Sequence, residues 1–350
     1  MANKTMVSIS GDRFLINGEP TYPGAPIEGR LMNSRMVQAT FDDLNPQTRS
    51  RWDRPGARWD ARRNTDEFIA QLPVYCDHGL LAFTVNLQGG SPEGYSETQP
   101  WHNSGFHADG RLRGDYVQRM NQIIDAADAL GMAVILGLFY FGQDQRLDDE
   151  AAVGRACDEV TDWLVARRDR NVLVEIANEA DLGRVTGKVF YDHPILRIER
   201  GEELVRRVQK RSEGKIDNAA GRLLVSTSQC GGQALAPEIA DAVDFVLLHG
   251  NGVDDPRKLT EMIERSRGTA GYRGQPIVVN EDDHFGFDRP KNNLAAAVGA
   301  GASWGYFDYR RPGEGFEQGY QSVPVDWSVG SDRKQGFFAA LRALASEWAE

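Results

Sequence analysis

Glu179 and Glu281 each stand where an apolar run of the sequence ends. The first run, 172–179, reads VLVEIANE, and the second, 277–281, reads IVVNE. Two carboxylates that converge on one cleft can divide acid and base roles, because mutual repulsion and unequal burial separate their pKa values. A single glutamate at a strand end is more often a capping or solvated residue. Catalysis is therefore indicated only if the fold brings the two side chains together.

Short apolar runs alternate with amphipathic segments along the whole chain, which is the pattern of βα units around a parallel sheet. The predicted strands lie near 20–27, 80–88, 132–141, 171–178, 222–229, 244–249, 275–280 and 303–309. The predicted helices lie at about 64–78, 114–130, 148–168, 198–212, 234–242, 255–270, 291–300 and 332–349. Eight such units favour an α/β fold in which residues 1–350 form a single (β/α)₈ TIM barrel, one catalytic domain.

Three further features shape this barrel. Phe14–Ile16 and the Asn17-Gly18 pair predict an N-terminal β-hairpin that closes the bottom of the barrel. The long connections 28–63 and 89–113 follow the first and second strands, so they lie on the rim where active sites are built. The alternative, an open doubly wound sheet, requires a glycine-rich phosphate-binding turn that this sequence lacks. The fourth and seventh barrel strands face one another, so Glu179 and Glu281 are expected to meet at that rim.

Composition limits the class of protein. The 350 residues are 41% hydrophobic, and 40 Lys and Arg against 51 Asp and Glu give a net charge of −11. This balance disfavours nucleic-acid binding, and the lack of a long apolar segment disfavours membrane insertion. Three distant cysteines and the absence of an apolar leader predict a cytoplasmic protein without a disulfide framework. Oligomeric state is left open by the sequence.

The strand motifs also carry a family resemblance. The stretch 174–179 (VEIANE) resembles the fourth-strand motif of the clan of (β/α)₈ retaining glycoside hydrolases, which includes cellulase-type family 5 enzymes and β-galactosidases. The stretch 275–281 (QPIVVNE) resembles the nucleophile segment of that clan, and 14–20 (FLINGEP) is similar to its N-terminal hairpin. The resemblance implies a retaining glycosidase, or a transglycosidase, that acts on an oligosaccharide or glycoside without a cofactor.

Carried over position by position, the resemblance makes Glu179 the general acid/base, Glu281 the nucleophile and Asn178 a donor to the sugar 2-hydroxyl. Glu175 matches an internal structural glutamate and is expected to be buried and hydrogen-bonded. The clan often has a histidine at the end of the sixth strand and a tyrosine two residues later; this chain has His249 and Asn251. Its usual arginine after the second strand is not evident.

The remaining candidates for substrate binding are amide, aromatic and cationic side chains near strand ends and on the upper loops. Asn86 and Gln88 could hold sugar hydroxyls, since amides both donate and accept hydrogen bonds. Tyr140, Trp101 with His102, and Trp304, which resembles the clan's eighth-strand platform, could stack on sugar rings, whereas Phe141 and Phe307 are expected to fill the core. Arg54 and Arg58 belong to an Arg/Trp segment, 49–63, that is either a solvated loop or a reader of anionic sugars.

Two other functions compete with this hypothesis. Metal-assisted hydrolysis on the same barrel would need a ligand set, and residues 281–284 (EDDH) supply suitable donors. Consecutive residues of an extended strand point to opposite faces, however, so no metal site is predicted there. A non-catalytic carbohydrate-binding barrel would keep the cleft but would not hydrolyse its ligand. Metal analysis and substitution of the two glutamates separate these alternatives.

Overall fold

The computed structural model describes residues 4–54, 56–96 and 98–346. The N-terminal segment forms a three-stranded antiparallel sheet of β1 (Val7–Ser10), β2 (Arg13–Ile16) and β3 (Glu19–Pro20). Asn17 and Gly18, with φ of 55° and 88°, make the tight turn between β2 and β3. Both values lie in the left-handed region that a two-residue hairpin turn of this type requires, which confirms the predicted hairpin.

Eight parallel strands follow and form one sheet. They are β4 (Asn33–Arg35), β5 (Ala82–Asn86), β6 (Ala133–Phe139), β7 (Val172–Ala177), β8 (Leu224–Ser226), β9 (Val246–His249), β10 (Ile277–Asp282) and β11 (Ser303–Tyr306). Their order is β8-β7-β6-β5-β4-β11-β10-β9, and a parallel bridge from Ser228 to Leu247 joins the two ends. The sheet is therefore a closed barrel, as predicted.

The first barrel strand is not where the sequence predicted it. Residues 20–27 form the end of β3 and a series of turns, and the strand is instead β4, Asn33–Arg35. All three of its residues are polar and buried. Asn33 and Ser34 reach backbone carbonyls of the neighbouring β11, with Ser34 Oγ 3.2 Å from Tyr306 O. A strand that satisfies polar side chains in this way has no apolar run, so the pattern of the sequence does not reveal it.

Helices cover the outside of the barrel, except for the short α4 (Leu182–Thr186), which lies at the rim beside the cleft. They are α1 (Ala61–Asp77), α2 (Gly114–Ala129), α3 (Glu150–Arg167), α4 (Leu182–Thr186), α5 (Gly201–Ser212), α6 (Pro256–Arg267), α7 (Asn293–Gly299) and α8 (Asp332–Ser346). Asp255 caps α6 by accepting from the backbone N–H of Arg257, and Pro256 occupies the first turn, as predicted. The helix predicted at 234–242 is replaced by turns around Pro237. The last predicted residues of α8, 347–349, lie outside the described residues.

The barrel interior is filled at its lower end by the hairpin. Phe14 of β2 is fully buried against Phe245, with ring centroids 6.1 Å apart, and joins a cluster with Leu31, Ile135 and Leu173. Burial of these apolar side chains supplies the main stabilisation of this end of the barrel. The polar ends of the strands consequently face the other rim, where the two long loops lie.

The sequence predicted a chain without a disulfide framework and without membrane insertion. Cys76, Cys157 and Cys230 are free thiols, so the described chain has no disulfide framework. Among the described helices, none has the length and apolar character needed to cross a bilayer.

Candidate active site

Glu179 and Glu281 meet at the carboxyl-terminal rim of the barrel. Glu281 belongs to β10, and Glu179 lies two residues beyond the end of β7. A carboxylate oxygen of each residue and a ring nitrogen of His249 all lie within 4.8 Å of one another. The convergence expected from the two strand motifs is therefore present in the fold.

The backbone directs Glu179 into the cleft. Its φ is 51°, in the left-handed region that residues other than glycine seldom adopt. The Glu179 N–H donates to Ser228 Oγ at 2.9 Å, and the next N–H, of Ala180, donates to Ser228 O at 3.0 Å. Non-glycine residues held in this conformation cluster at functional sites, because the surrounding structure must offset the strain.

Arg35 of β4 organises the floor of the site. Its Nε lies 2.7 Å from Glu281 Oε2, its Nη2 donates to Asn178 Oδ1 at 2.6 Å, and its Nη1 lies 3.9 Å from Glu175 Oε2. Burial opposes the charge of Arg35, but the carboxylates of Glu281 and Glu175 raise its pKa overall. Sequence reasoning missed this residue because it lies in the polar strand that no apolar run marks.

Glu175 is buried as expected, yet its oxygens accept no hydrogen bond from any described residue. Its compensation is instead the electrostatic attraction of Arg35 at 3.9 Å. The expected hydrogen bond was therefore wrong. Because an isolated charge in a barrel interior is costly, Glu175 and Arg35 depend on one another.

His249 connects the two carboxylates. Its Nδ1 lies 2.9 Å from Glu179 Oε1 and 3.7 Å from Glu281 Oε2. Burial opposes the charged imidazolium, but Glu281 and Glu179 raise the pKa of His249. The residue is fully buried at the end of β9, so it contacts the carboxylates from beneath the cleft.

Asn251 stands where the resemblance leads one to expect a tyrosine. Its Nδ2 donates to Glu281 Oε1 at 2.6 Å, while Arg35 contacts the other oxygen. Both carboxylate oxygens of Glu281 are thus held by donors on opposite sides. This amide cannot titrate, so it supports Glu281 without adding an ionisable group.

The pKa of Glu179 is raised. Burial is the largest cause, His249 opposes it through a hydrogen bond and its charge, and repulsion from Glu281 adds to it. A raised pKa keeps a carboxyl group protonated at higher pH, which is what a general acid requires.

A cleft of about 490 Å³ opens above the two carboxylates. Its lining includes Arg35, Glu179 and Glu281 together with the aromatic side chains of Tyr95, Tyr140, Phe141, Phe190 and Phe307. Tyr140 lies where the sequence placed it, whereas Phe141 and Phe307 line the cleft and do not merely fill the core. Tyr95 and Phe190 come from loops, and Leu182 begins the short helix α4; none of the three lies at a strand end, so the sequence pattern did not predict them.

The two tryptophans predicted to stack on sugars are packed inside the protein. Trp101 is fully buried, and its ring meets Trp52 edge to face with centroids 5.7 Å apart. Trp304 is also fully buried and donates Nε1 to Asp282 Oδ2 at 2.9 Å. Neither residue lines the cleft. The long loop carrying Trp101 is ordered by aromatic packing, which removes this ring from the solvent.

Asn86, Gln88 and His102 were predicted to contact the substrate, but they do not line the cleft either. Gln88 is buried and donates to Gln143 O at 3.1 Å. Asn86 is buried at the end of β5, close to Gly137 of the next strand. A side chain at Gly137 would place its Cβ 2.2 Å from Asn86 Oδ1, so glycine is needed there. His102 is half-buried, and burial lowers its pKa.

Arg54 and Arg58 do not reach the cleft. Arg54 forms a bidentate pair with Glu67, at 3.0 and 2.6 Å, and also donates to Val325 O at 3.0 Å. Arg58 is exposed. Arg54 therefore joins its loop to α1 and to the segment at Val325, and Glu67 neutralises its charge.

Asp282, Asp283 and His284 come closer together than the sequence indicated. Carboxylate and imidazole atoms of the three lie within 4.8 Å of one another, although an extended strand would separate them. The register shifts irregularly within β10, and the strand ends at Asp282. His284 Nδ1 lies 2.6 Å from Asp282 Oδ1, and that hydrogen bond, against the opposing effect of burial, raises the pKa of His284 to about 9. Glu281 belongs instead to the cluster with Glu179 and His249, so the four residues 281–284 do not form one donor set, although Asp282, Asp283 and His284 lie together.

The chemistry of the donors disfavours a metal at the catalytic carboxylates. Glu179, His249 and Glu281 could offer two oxygens and one nitrogen within 4.8 Å. Arg35, however, occupies one oxygen of Glu281 with a positive charge at 2.7 Å. A cation bound there would be repelled by the guanidinium, which cannot be deprotonated in a protein.

The sequence matches no protein-family model and no curated protein sequence. Solved structures do match the fold. A glycoside hydrolase family 5 structure from Bacteroides vulgatus has a TM-score of 0.58 at 16% identity and covers 97% of this chain and 71% of its own. A family 5 mannosidase from Rhizomucor miehei has a TM-score of 0.56 at 14% identity, with 99% and 100% covered. This chain has the barrel fold of those glycoside hydrolases.

Another Bacteroides vulgatus structure has a TM-score of 0.56 at 14% identity over 95% of this chain. The chain spans only 60% of the length of that protein. Such low identities establish the fold, which many unrelated activities share, and leave the chemistry to be argued from the site.

Proposed function

We propose that this protein is a retaining glycoside hydrolase that acts by double displacement on a β-glycoside or an equatorially linked pentoside. The observation that carries this proposal is the approach of Glu179 and Glu281 oxygens to within 4.8 Å. Retaining enzymes hold their two carboxyl groups about 5–5.5 Å apart, whereas inverting enzymes leave about 6.5–9.5 Å for a water molecule. The glycosidase fold of the matching structures agrees with this chemistry.

In the first step Glu281 attacks the anomeric carbon while Glu179 protonates the departing oxygen, which releases the leaving group and forms a glycosyl ester. Arg35 and Asn251 contact the two oxygens of Glu281 and so hold this carboxylate in position for attack. The raised pKa of Glu179, caused mainly by burial, favours its protonated form. The contacts of Glu281 and the burial of Glu179 thus suit the two residues to different roles.

In the second step Glu179, now ionised, removes a proton from water, which attacks the anomeric carbon and releases the sugar from Glu281 with net retention. Asn178 is proposed to donate to the sugar 2-hydroxyl. Arg35 binds its Oδ1 and thereby turns Nδ2 away from the guanidinium. Tyr140, Phe141, Phe190 and Phe307 provide apolar faces on which sugar rings can pack.

Chemical rescue tests the two roles. After a panel of aryl glycosides has identified a substrate, Glu281→Ala and Glu179→Ala are assayed with azide, and product stereochemistry is read by NMR. We expect azide to rescue Glu281→Ala with an inverted product and Glu179→Ala with a retained one. Glu261→Gln, on the exposed side of α6, is the matched control and should keep wild-type activity. The reverse stereochemistry would exchange the roles, and a chain with no turnover on any glycoside would instead favour a carbohydrate-binding protein.

A further inference from the structure

A second cavity, of about 350 Å³, lies beside the catalytic cleft. The segment 180–199, between β7 and α5, forms its walls. Phe190 lines both this cavity and the cleft, and Ala180, which follows Glu179 directly, also lines it. The cavity is therefore adjacent to the cleft on the side of the proposed acid/base.

The charge of this cavity is opposite to that of the chain. Arg184, Lys188 and Arg197 line it together with one carboxylate, Glu199, whereas the whole sequence carries a net charge of −11. Arg184 is already committed, because its guanidinium lies 3.5 Å from Glu199 and 2.7 Å from Glu238. Within the described ranges, Lys188 and Arg197 have no carboxylate within 4.0 Å. Two residues that line the cavity thus carry positive charges that no described carboxylate pairs with.

Arg197 is held in place by uncharged groups. Its Nε and Nη2 donate to the backbone oxygen of Tyr191 at 3.1 and 2.8 Å, and Nη2 lies 3.5 Å from Asp192 O. These contacts orient the guanidinium but leave its charge uncompensated, and they do not use Nη1. A planar guanidinium oriented in advance is well suited to bind a carboxylate at little entropic cost.

The position of the cavity indicates which part of a substrate it can reach. A general acid protonates the oxygen of the leaving group, so the leaving group must lie on the Glu179 side of the cleft. The second cavity lies on that side, and Phe190 forms an apolar wall between the two spaces. The assignment of the leaving group to the Glu179 side rests on the function proposed above.

We propose that this cavity binds a carboxylate carried by the leaving group of the substrate, so that the preferred substrates are glycosides of a uronic acid or of another carboxylated alcohol. Arg197 and Lys188 bind the anionic oxygens, and Phe190 packs against the ring that carries them. Arg54 and Arg58 of the Arg/Trp segment 49–63 line neither this cavity nor the catalytic cleft.

Direct binding tests the proposal without requiring turnover. The wild-type protein is titrated with D-glucuronate and with its uncharged counterpart D-glucuronamide, and the amide signals of Gly183 and Gly187 are followed by NMR. We expect saturable shifts with glucuronate and at least about tenfold weaker binding of glucuronamide, since a charge-assisted pair is replaced by a neutral one. Equal binding of the two sugars would overturn the proposal.

Variants assign the binding to the two cations. Arg197→Gln and Lys188→Gln should each weaken glucuronate binding by about tenfold or more, whereas Arg197→Lys should keep part of it. Lys210→Gln removes one exposed charge from α5, away from the cavity, and should bind like the wild type. Wild-type affinity in both Arg197→Gln and Lys188→Gln would contradict the assignment. If sulfate shifts the same signals with equal affinity, the cavity is a site for free inorganic anions and the proposal fails.

Kinetics connect the cavity to the leaving group. For the sugar that the enzyme accepts, 4-carboxyphenyl and 4-carbamoylphenyl glycosides are compared in the wild type and in Lys188→Gln. We expect KM for the carboxylated substrate alone to rise by about tenfold, with kcat nearly unchanged. An equal change for both substrates would overturn the proposal. If no glycoside is hydrolysed, the proposed function is overturned. Carboxylate binding by the cavity is then still tested separately, because the binding titration does not depend on catalysis.

Discussion

Arg35 Nε lies 2.7 Å from Glu281 Oε2, and the same guanidinium reaches Asn178 Oδ1 at 2.6 Å. One side chain from the first barrel strand thus joins the seventh strand, which carries the proposed nucleophile, to the loop that carries the proposed acid/base. The arrangement of the site depends on this contact across the barrel.

Arg35→Lys should reduce kcat by roughly 10²-fold, because an ammonium group cannot hold Glu281 and Asn178 together and small misplacements at a reacting centre have effects of that size. Arg35→Gln should also destabilise the fold by about 3–5 kcal/mol, since it leaves the buried carboxylate of Glu175 without the compensating charge of Arg35. Denaturant unfolding measures this loss. Adding Glu175→Gln should recover part of the stability, and a double variant no more stable than Arg35→Gln would contradict the coupling.

His249→Ala should shift the alkaline limb of the kcat/KM profile to higher pH. Glu179 must be protonated to act as an acid, so activity falls as pH rises through its pKa. His249 opposes the effect of burial on that pKa through its hydrogen bond and charge, and its removal raises the pKa further. A pH–rate profile measures the limb. An unchanged limb, or one displaced to lower pH, would show that His249 does not act on Glu179.

Asn251→Ala should lower kcat/KM by roughly 10–100-fold, because Glu281 Oε1 loses its donor at 2.6 Å. Asn251→Asp replaces this donor with a second carboxylate beside Glu281 and should lower kcat/KM more than Asn251→Ala does, because the two negative charges repel one another. Initial rates on one substrate compare the two variants. Asn45→Asp, at a site away from the cleft, is the matched control, and an equal loss of kcat/KM in Asn45→Asp would argue against a local effect.

The His284–Asp282 pair should make stability depend on pH. The folded pKa of His284 is about 9, raised from 6.5 chiefly by its hydrogen bond to Asp282. A raised pKa means that the full stabilisation is present below about pH 6.5 and is lost as pH rises through about 9. His284→Gln should remove roughly 1–3 kcal/mol at pH 6 and much less at pH 10. Unfolding at both values measures this, and His107→Gln, on an exposed loop, should show no comparable difference.

Much of the barrel could be predicted because its strands are buried on both faces. Runs such as 133–139 and 172–177 are almost wholly apolar, and the positions of Glu179 and Glu281 followed from where those runs end. The hairpin turn at Asn17-Gly18 was predictable for another local reason, since the required backbone conformation restricts the residue types. These features depend on residues close together in the sequence.

Other parts of the site could not be predicted from residues close together in the sequence. The strand that carries Arg35 is polar throughout, because its side chains are satisfied by partners that are distant in sequence, up to 272 residues away for Ser34. Trp101 looked like a surface platform but is buried by Trp52, and the irregular end of β10 brings Asp282 and His284 together. The sequence by itself therefore determined the eight-unit barrel pattern and the positions of the two glutamates, since both follow from local periodicity. Only the tertiary structure decided which side chains surround those glutamates, because burial and pairing across the barrel depend on strands that meet only after folding.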